Sequence, residues 1–199
     1  MGNPNWVEKL NESIVYFTEE SVREFVMEGS EGLPSLNEKE KTLWVKEALD
    51  KLDSMVPDKD TRYEIMTNCS CDCADNLIGK FREEYQKNND IDSLLDKMYK
   101  NPFYIRPRRV GDIIYFVKVA CNKEKFDQAT NLEEKRYHYC HCDYIKAANL
   151  PISPTHCFCS AGWYKRIWKG ILERPIKVEM VKSIMQGDDK CEFAVYLQD

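Results

Sequence analysis

The sequence predicts an α+β fold in which N-terminal helices pack on an antiparallel sheet of about four strands, with one long helix between the strand pairs. Two observations support this. Apolar residues recur with a helical period through residues 1–100, and the period falls to two in several later segments. A chain of 199 residues with 43% hydrophobic content can bury one core, so we expect a single domain over residues 1–199.

The helical layer is predicted over residues 1–100. A first helix at residues 5–27 ends at Gly29 and Gly32, and a second helix, capped by Leu36 or Asn37, runs to residue 55. A third begins near residue 60 and is closed by the segment that starts at Cys69. Two shorter helices are expected at residues 75–87 and 90–100.

The sheet, the long helix and a C-terminal hairpin are predicted over residues 101–199. Residues 112–121 and 136–142 are rich in β-branched or aromatic side chains, which predicts two strands. Residues 160–172 return to a helical period. Residues 176–185 and 190–197 then alternate on either side of a turn at Gly187, which is typical of a hairpin.

Four of the nine cysteines form two Cys-x-Cys pairs, and all three histidines lie beside them. Thiolates and imidazoles are the ligands of zinc and iron–sulfur centres. One hypothesis is therefore a zinc or iron–sulfur site built from Cys140, Cys142, Cys157 and Cys159. His138 or His156 could replace one of these ligands. Residues two apart on a strand are separated by about 6.6 Å, so the first pair can bind one metal only if the chain kinks. Free, partly buried thiols are the alternative. The upstream run Cys69, Cys71 and Cys73 could add sulfurs to the cluster.

A second hypothesis is a cysteine-dependent hydrolase or redox enzyme. Cys157 and Cys159 lie at the start of the predicted helix, where the helix dipole and unpaired N–H groups stabilise a thiolate and lower its pKa. Cys159 is then the candidate nucleophile, with His156 or His138 as its base. The alternative is that Cys159 only packs beneath the sheet.

Composition narrows the classes of partner. The 29 basic and 34 acidic residues give a net charge of −5 and are interspersed, which argues against a nucleic-acid-binding protein. No apolar stretch approaches the roughly 18 residues that a membrane span requires, and residues 1–6 lack a signal-peptide pattern. We therefore expect a cytoplasmic protein with reduced thiols. An exposed strand edge or helix face could form a homodimer.

The C-terminal third resembles the 4-vinyl reductase domain. The resemblance covers about residues 157–198 and depends on Gly162-Trp163-Tyr164, on Gly170-Ile171-Leu172 before a strand with a central Glu179, and on a Gly-Asp-x-x-Cys-x-Phe hairpin at residues 187–193. It implies the fold of the haem-NO-binding and transport-particle family, with an internal pocket for a small hydrophobic molecule. It also implies a zinc held by Cys157 or Cys159, by Glu179 and by Cys191. The remaining ligand position falls near Ser183 or Ile184, where no thiol is present. The cysteine-rich pattern looks closest to a branch described as amino-thiazoline carboxylate hydrolase-like.

The leading hypothesis is therefore a small-molecule-binding domain with its pocket between the helical layer and the sheet. The Cys/His cluster is expected at the mouth of this pocket. Ligand pockets are mostly apolar with few polar groups, so the candidate wall residues are Tyr115, Phe116, Phe158, Trp163 and Trp168.

Overall fold

A computed structural model describes residues 5–72, 75–100, 105–142, 146 and 150–198. It confirms the α+β prediction, because helices precede and flank one antiparallel sheet. In chain order the α-helices within these ranges are α1 Trp6–Phe17, α2 Glu20–Val26, α3 Glu38–Met55, α4 Lys59–Asn68, α5 Asp75–Gln86, α6 Ile91–Tyr99, α7 Lys123–Gln128, α8 Leu132–Tyr139 and α9 Phe158–Leu172. Short 3-10 helices lie at Ser30–Ser35, Pro154–Cys157 and Ile184–Gln186.

The sheet contains β1 Arg108–Val110, β2 Ile113–Val117, β3 Lys177–Lys182 and β4 Glu192–Tyr196. Their order is β1-β2-β4-β3, and all neighbours are antiparallel. Phe193 of β4 stands opposite Phe116 on one side and Met180 on the other. The predicted C-terminal hairpin is therefore present, with Gly187 in a left-handed conformation at its turn (φ 97°).

Helix α9 packs between the inner face of the sheet and the helices α4 and α5. Alternation along the strands places Phe116 and Phe193 on this inner face, where both are about 1% exposed. The ring of Tyr164 lies 5.1 Å from Phe116 and 4.9 Å from Phe193, and Trp168 is fully buried beside them. These aromatic side chains form the core that fixes the start of α9 over one end of the sheet.

The predicted strand at residues 136–142 is wrong. Residues 132–139 form helix α8, which Asn131 caps by accepting a hydrogen bond from the backbone N–H of Glu134. An N-cap followed by acidic residues in the first turn favours a helix, and here it outweighs the aromatic alternation. The fourth strand is instead β1, which is short and exposed along its length.

Other boundaries also differ. Residues 5–27 form two helices, because Thr18 takes an extended conformation (φ −140°, ψ −177°). The second predicted helix is confirmed, with Asn37 rather than Leu36 as its cap. Strand β2 ends before Cys121, which is exposed, and α7 lies where no helix was predicted. Cys73 lies outside the described residues. No helix in the described ranges is long and apolar enough to cross a membrane.

Candidate functional site

Five cysteines surround one small cavity of about 40 Å³ at the end of the sheet nearest the start of α9. They come from three separate segments of the chain. Four are the members of the two predicted Cys-x-Cys pairs, and the fifth comes from the residue before β4. The cysteine, histidine and lysine side chains that line it are Cys140, Cys142, Cys157, Cys159, Cys191, His141, His156 and Lys118.

Tyr139, the last residue of α8, brings the first pair to the cavity. Its hydroxyl donates to the backbone carbonyl of Lys118 (2.7 Å) and accepts from the backbone N–H of Cys191 (2.8 Å). The backbone N–H of Cys121 donates in turn to the Tyr139 carbonyl. These bonds tie the end of α8 to β2 and β4, so that Cys140 lies near Cys191.

Asp53 of α3 holds the turn that carries the second pair. Its carboxylate accepts hydrogen bonds from the hydroxyls of Ser153 (2.5 Å) and Thr155 (2.7 Å), and it forms an ion pair with Arg62 (3.1 Å). Ser153 also caps the 3-10 helix that leads into α9. The polar network therefore fixes His156 and Cys157 from the helical side of the fold.

His156 is buried and contacts a sulfur directly. Its Nε2 lies 3.3 Å from the Sγ of Cys142, and its ring packs 5.5 Å from that of Trp6. Its Nδ1 has no hydrogen-bond partner among the described residues. The sequence suggested His156 as the base for Cys159, whereas in the structure its Nε2 contacts the sulfur of Cys142.

Burial dominates the electrostatics of the cavity. It raises the pKa of Cys157 from 9.0 to about 12 and also raises the pKa values of Cys140, Cys159 and Cys191. Neighbouring sulfurs raise the pKa values of Cys140, Cys157 and Cys159 further. Burial also lowers the pKa of His156 from 6.5 to about 4. The lowered thiol pKa predicted from the helix N-terminus is therefore wrong in direction. Near neutral pH Cys140, Cys157, Cys159 and Cys191 are therefore protonated, and the imidazole of His156 is neutral.

This state predicts the order in which the native protein reacts with iodoacetamide near pH 7.5. The thiolate is the reactive form, so we expect exposed Cys121 to be labelled at least about tenfold faster than Cys157 or Cys159. Mass spectrometry of the peptides would measure the rates, and unfolding in urea should make them similar. Preferential labelling of Cys159 in the native protein would contradict this and favour Cys159 as a nucleophile.

The residues proposed to form the wall of a ligand pocket are scattered. Phe158 and Trp168 are buried in the core, whereas Trp163 is half-buried. Tyr115 lies on the opposite face of the sheet from Phe116, with the guanidinium of Arg108 4.3 Å from its ring centre. None of the five predicted wall residues, Phe116 included, lines the thiol cavity.

The zinc ligands that the resemblance implies are only partly brought together. Cys157, Cys159 and Cys191 line the cavity, and the Ser183 side chain lowers the pKa values of the Cys157 and Cys191 thiols in opposition to burial. Glu179 does not line it. Its carboxylate accepts from the Tyr196 hydroxyl (2.5 Å) and pairs with Lys177 (2.7 Å) on the outer face of the sheet.

As the side chains stand, no three histidine, cysteine, aspartate or glutamate groups in the described part of the chain are placed to hold a metal ion together. Coordination at the cavity therefore requires its thiols to rotate toward a common centre. The cysteines of the cavity are the two pairs found from the sequence together with Cys191, which the resemblance implied as a zinc ligand. His138 lies elsewhere, in a groove on the outside of α8.

Comparison with known proteins adds one match. The model of a family of unknown function (DUF6144) matches residues 118–199, which include every residue that lines the cavity. No curated protein and no solved structure matches the chain.

Proposed function

We propose that this chain is a metal-binding protein that holds a thiophilic metal ion, zinc by preference, among the cysteines of the cavity. The observation that supports this is that five cysteine residues from three segments line one cavity of about 40 Å³. On the same measure a single water needs about 10–15 Å³, so the cavity has room for an ion or a few waters and not for a larger molecule. Zinc takes four ligands, commonly thiolates and imidazoles.

The protonation state of the site gives the physical reason. Burial raises the pKa values of Cys140 and Cys157, neighbouring sulfurs raise them further, and both thiols are therefore neutral. A zinc ion at their centre supplies that charge, displaces the protons and converts the thiols to ligands. Soft thiolate ligands favour zinc and copper(I) over magnesium or calcium.

The proposal includes a reducing, cytoplasmic location. Cys121, Cys140, Cys157, Cys159 and Cys191 are all thiols rather than disulfides, and thiols persist in the cytosol. A pocket for a small hydrophobic molecule has less support, because such pockets typically occupy about 300–1,000 Å³.

One contact favours a second candidate function, a cysteine-dependent hydrolase or redox enzyme. The imidazole of His156 lies within hydrogen-bond distance of the Cys142 sulfur, as a base and its nucleophile would. In that case Cys142 takes the role that the sequence suggested for Cys159. Loss of a reaction in both Cys142→Ser and His156→Gln, with zinc content unchanged, would support it.

Elemental analysis of the full chain, purified without a metal-affinity tag, tests the proposal. We expect about one equivalent of zinc per chain. Cys157→Ser and Cys191→Ser should lose most of it, whereas Cys121→Ser, at an exposed cysteine that does not line the cavity, should retain it. Less than about half an equivalent in the wild-type protein after zinc reconstitution would overturn the proposal. Iron with inorganic sulfide instead of zinc would overturn the choice of metal.

A further inference from the structure

Two of the cysteines that line the cavity are only half-buried. Cys142 lies just after α8, and Cys159 lies in the first turn of α9. The other three cysteines that line the cavity are buried. A small solute that enters from the solvent therefore meets Cys142 and Cys159 first, and these two residues come from separate segments of the chain.

Cys142 has a base in direct contact with its sulfur. The Nε2 of His156 lies 3.3 Å from the Cys142 Sγ, and the His156 ring packs 5.5 Å from that of Trp6. The Nδ1 of His156 has no hydrogen-bond partner among the described residues, so no second hydrogen bond fixes which ring nitrogen carries the proton. An imidazole with an unprotonated Nε2 can accept the thiol proton as the sulfur attacks an electrophile.

The size and the polar lining of the cavity limit the electrophile. The cavity volume is about 40 Å³, and one water needs about 10–15 Å³ on this measure, so a solute the size of two or three waters fits. Lys118 and Ser160 also line the cavity, with the Lys118 Nζ 3.3 Å from the Ser160 hydroxyl oxygen. Both side chains can donate hydrogen bonds to an oxygen atom. Hydrogen peroxide meets these limits, whereas an aryl hydroperoxide is too large.

We propose that Cys142 and Cys159 are a peroxide-reactive pair of thiols, which hydrogen peroxide joins in a disulfide. The Cys142 sulfur attacks one peroxide oxygen and the O–O bond breaks. The thiol proton passes by way of His156 to the departing oxygen, which leaves as water. The Cys142 sulfenic acid then reacts with the Cys159 thiol, which forms the S–S bond and releases a second water. The inference rests on the redox form of the second candidate function and requires no bound metal.

Peptide mapping of the full chain tests the pair. Reduced, chelator-treated protein is mixed with about one equivalent of hydrogen peroxide, alkylated, and digested with trypsin without a reductant. Trypsin places the two cysteines on different peptides, residues 137–146 and residues 147–165. We expect these two peptides to be linked, with fragmentation placing the bond between Cys142 and Cys159.

Matched variants assign the role of each residue. Cys142→Ser should lose the linked peptide. Cys159→Ser should leave Cys142 as a sulfenic acid, which dimedone traps. His156→Gln removes the base and should slow the loss of free thiols by about tenfold or more. Cys121→Ser, at an exposed cysteine that does not line the cavity, should form the link at the wild-type rate.

Three results would overturn the inference. They are a disulfide between another pair of cysteines, a wild-type rate of thiol loss in Cys142→Ser, and an equal rate with cumene hydroperoxide, which the cavity excludes. If His156→Gln does not fold, the dimedone adduct in Cys159→Ser still decides where the peroxide attacks. Because these proteins are metal-free throughout, the result is separate from the zinc content, and either proposal can fail without the other.

Discussion

Replacing Gly162 with alanine is expected to destabilise the fold by about 3 kcal/mol. Gly162 lies in α9 where this helix crosses α4, and an added Cβ would stand 2.0 Å from the carbonyl oxygen of Thr67. The Thr67 carbonyl carbon and Cα would lie at 2.6 Å. These are backbone atoms of a helix, which cannot turn aside as a flexible side chain does. The two helices must therefore separate, and the aromatic core beneath α9 loses contacts.

Equilibrium unfolding in urea measures the effect, and Gly79→Ala provides the matched control. Gly79 lies in α5, and an added Cβ meets nothing within 4 Å. Alanine is a better helix former than glycine by about 1 kcal/mol, so the control should be stabilised. A Gly162→Ala protein as stable as wild type would contradict the direct backbone contact. Zinc binding should fall in the same variant, because α9 carries Cys159 in its first turn.

Much of the helical layer and the C-terminal hairpin could be predicted from local sequence patterns, because these elements are present in the structure. The second predicted helix starts at Asn37 because the side chain of this residue accepts from two backbone N–H groups while Glu40 closes a capping box. The missed strand β1 has no such signal, since its three residues are all exposed and show no alternation in burial. Pairing with β2 defines it, and that contact is not encoded locally.

The candidate site was partly visible in the sequence for a related reason. The density of thiols and imidazoles marked Cys140, Cys142, Cys157 and Cys159, which the fold brings to one cavity. Cys191 lies near Cys140 because its backbone N–H donates a hydrogen bond to the hydroxyl of Tyr139, which is 52 residues away along the chain. A hydrogen bond of this kind depends on tertiary packing, so spacing in the sequence could not reveal it.

The pKa of Cys157 rises despite its place at a helix N-terminus, because burial outweighs the helix dipole. A helix N-terminus stabilises a nearby anion by about 1 kcal/mol and by at most about 2 kcal/mol. The rise in the pKa of Cys157 from 9.0 to about 12 corresponds to about 4 kcal/mol against the thiolate. The sequence shows where the helix begins, but the depth of burial is a property of the assembled fold.

The same buried thiols predict how stability depends on pH. In the metal-free protein, the folded pKa of Cys157 lies above the value of 9.0 expected for the unfolded chain. Stability from this thiol is fully present below about pH 9 and is lost as pH rises toward 12, because only the unfolded chain can release the proton. Cys69, whose pKa burial also raises to about 12, acts in the same direction. We expect a loss on the order of 4 kcal/mol from Cys157 alone across this range.

Urea unfolding of chelator-treated protein between pH 8 and about pH 11 would measure this decline. Cys157→Ala removes the titrating group and should show a shallower decline, while Cys121→Ser should follow wild type because this side chain is exposed. Identical slopes of stability against pH for Cys157→Ala and wild type would contradict the assignment of this decline to the Cys157 thiol.

The stability of zinc-loaded protein should instead increase with pH between pH 6 and pH 9. Its folded state already holds thiolates, so the protons are bound by the unfolded chain and stability rises with pH. A reversal of slope on adding stoichiometric zinc thus links the thiol pKa values to metal binding at one cavity.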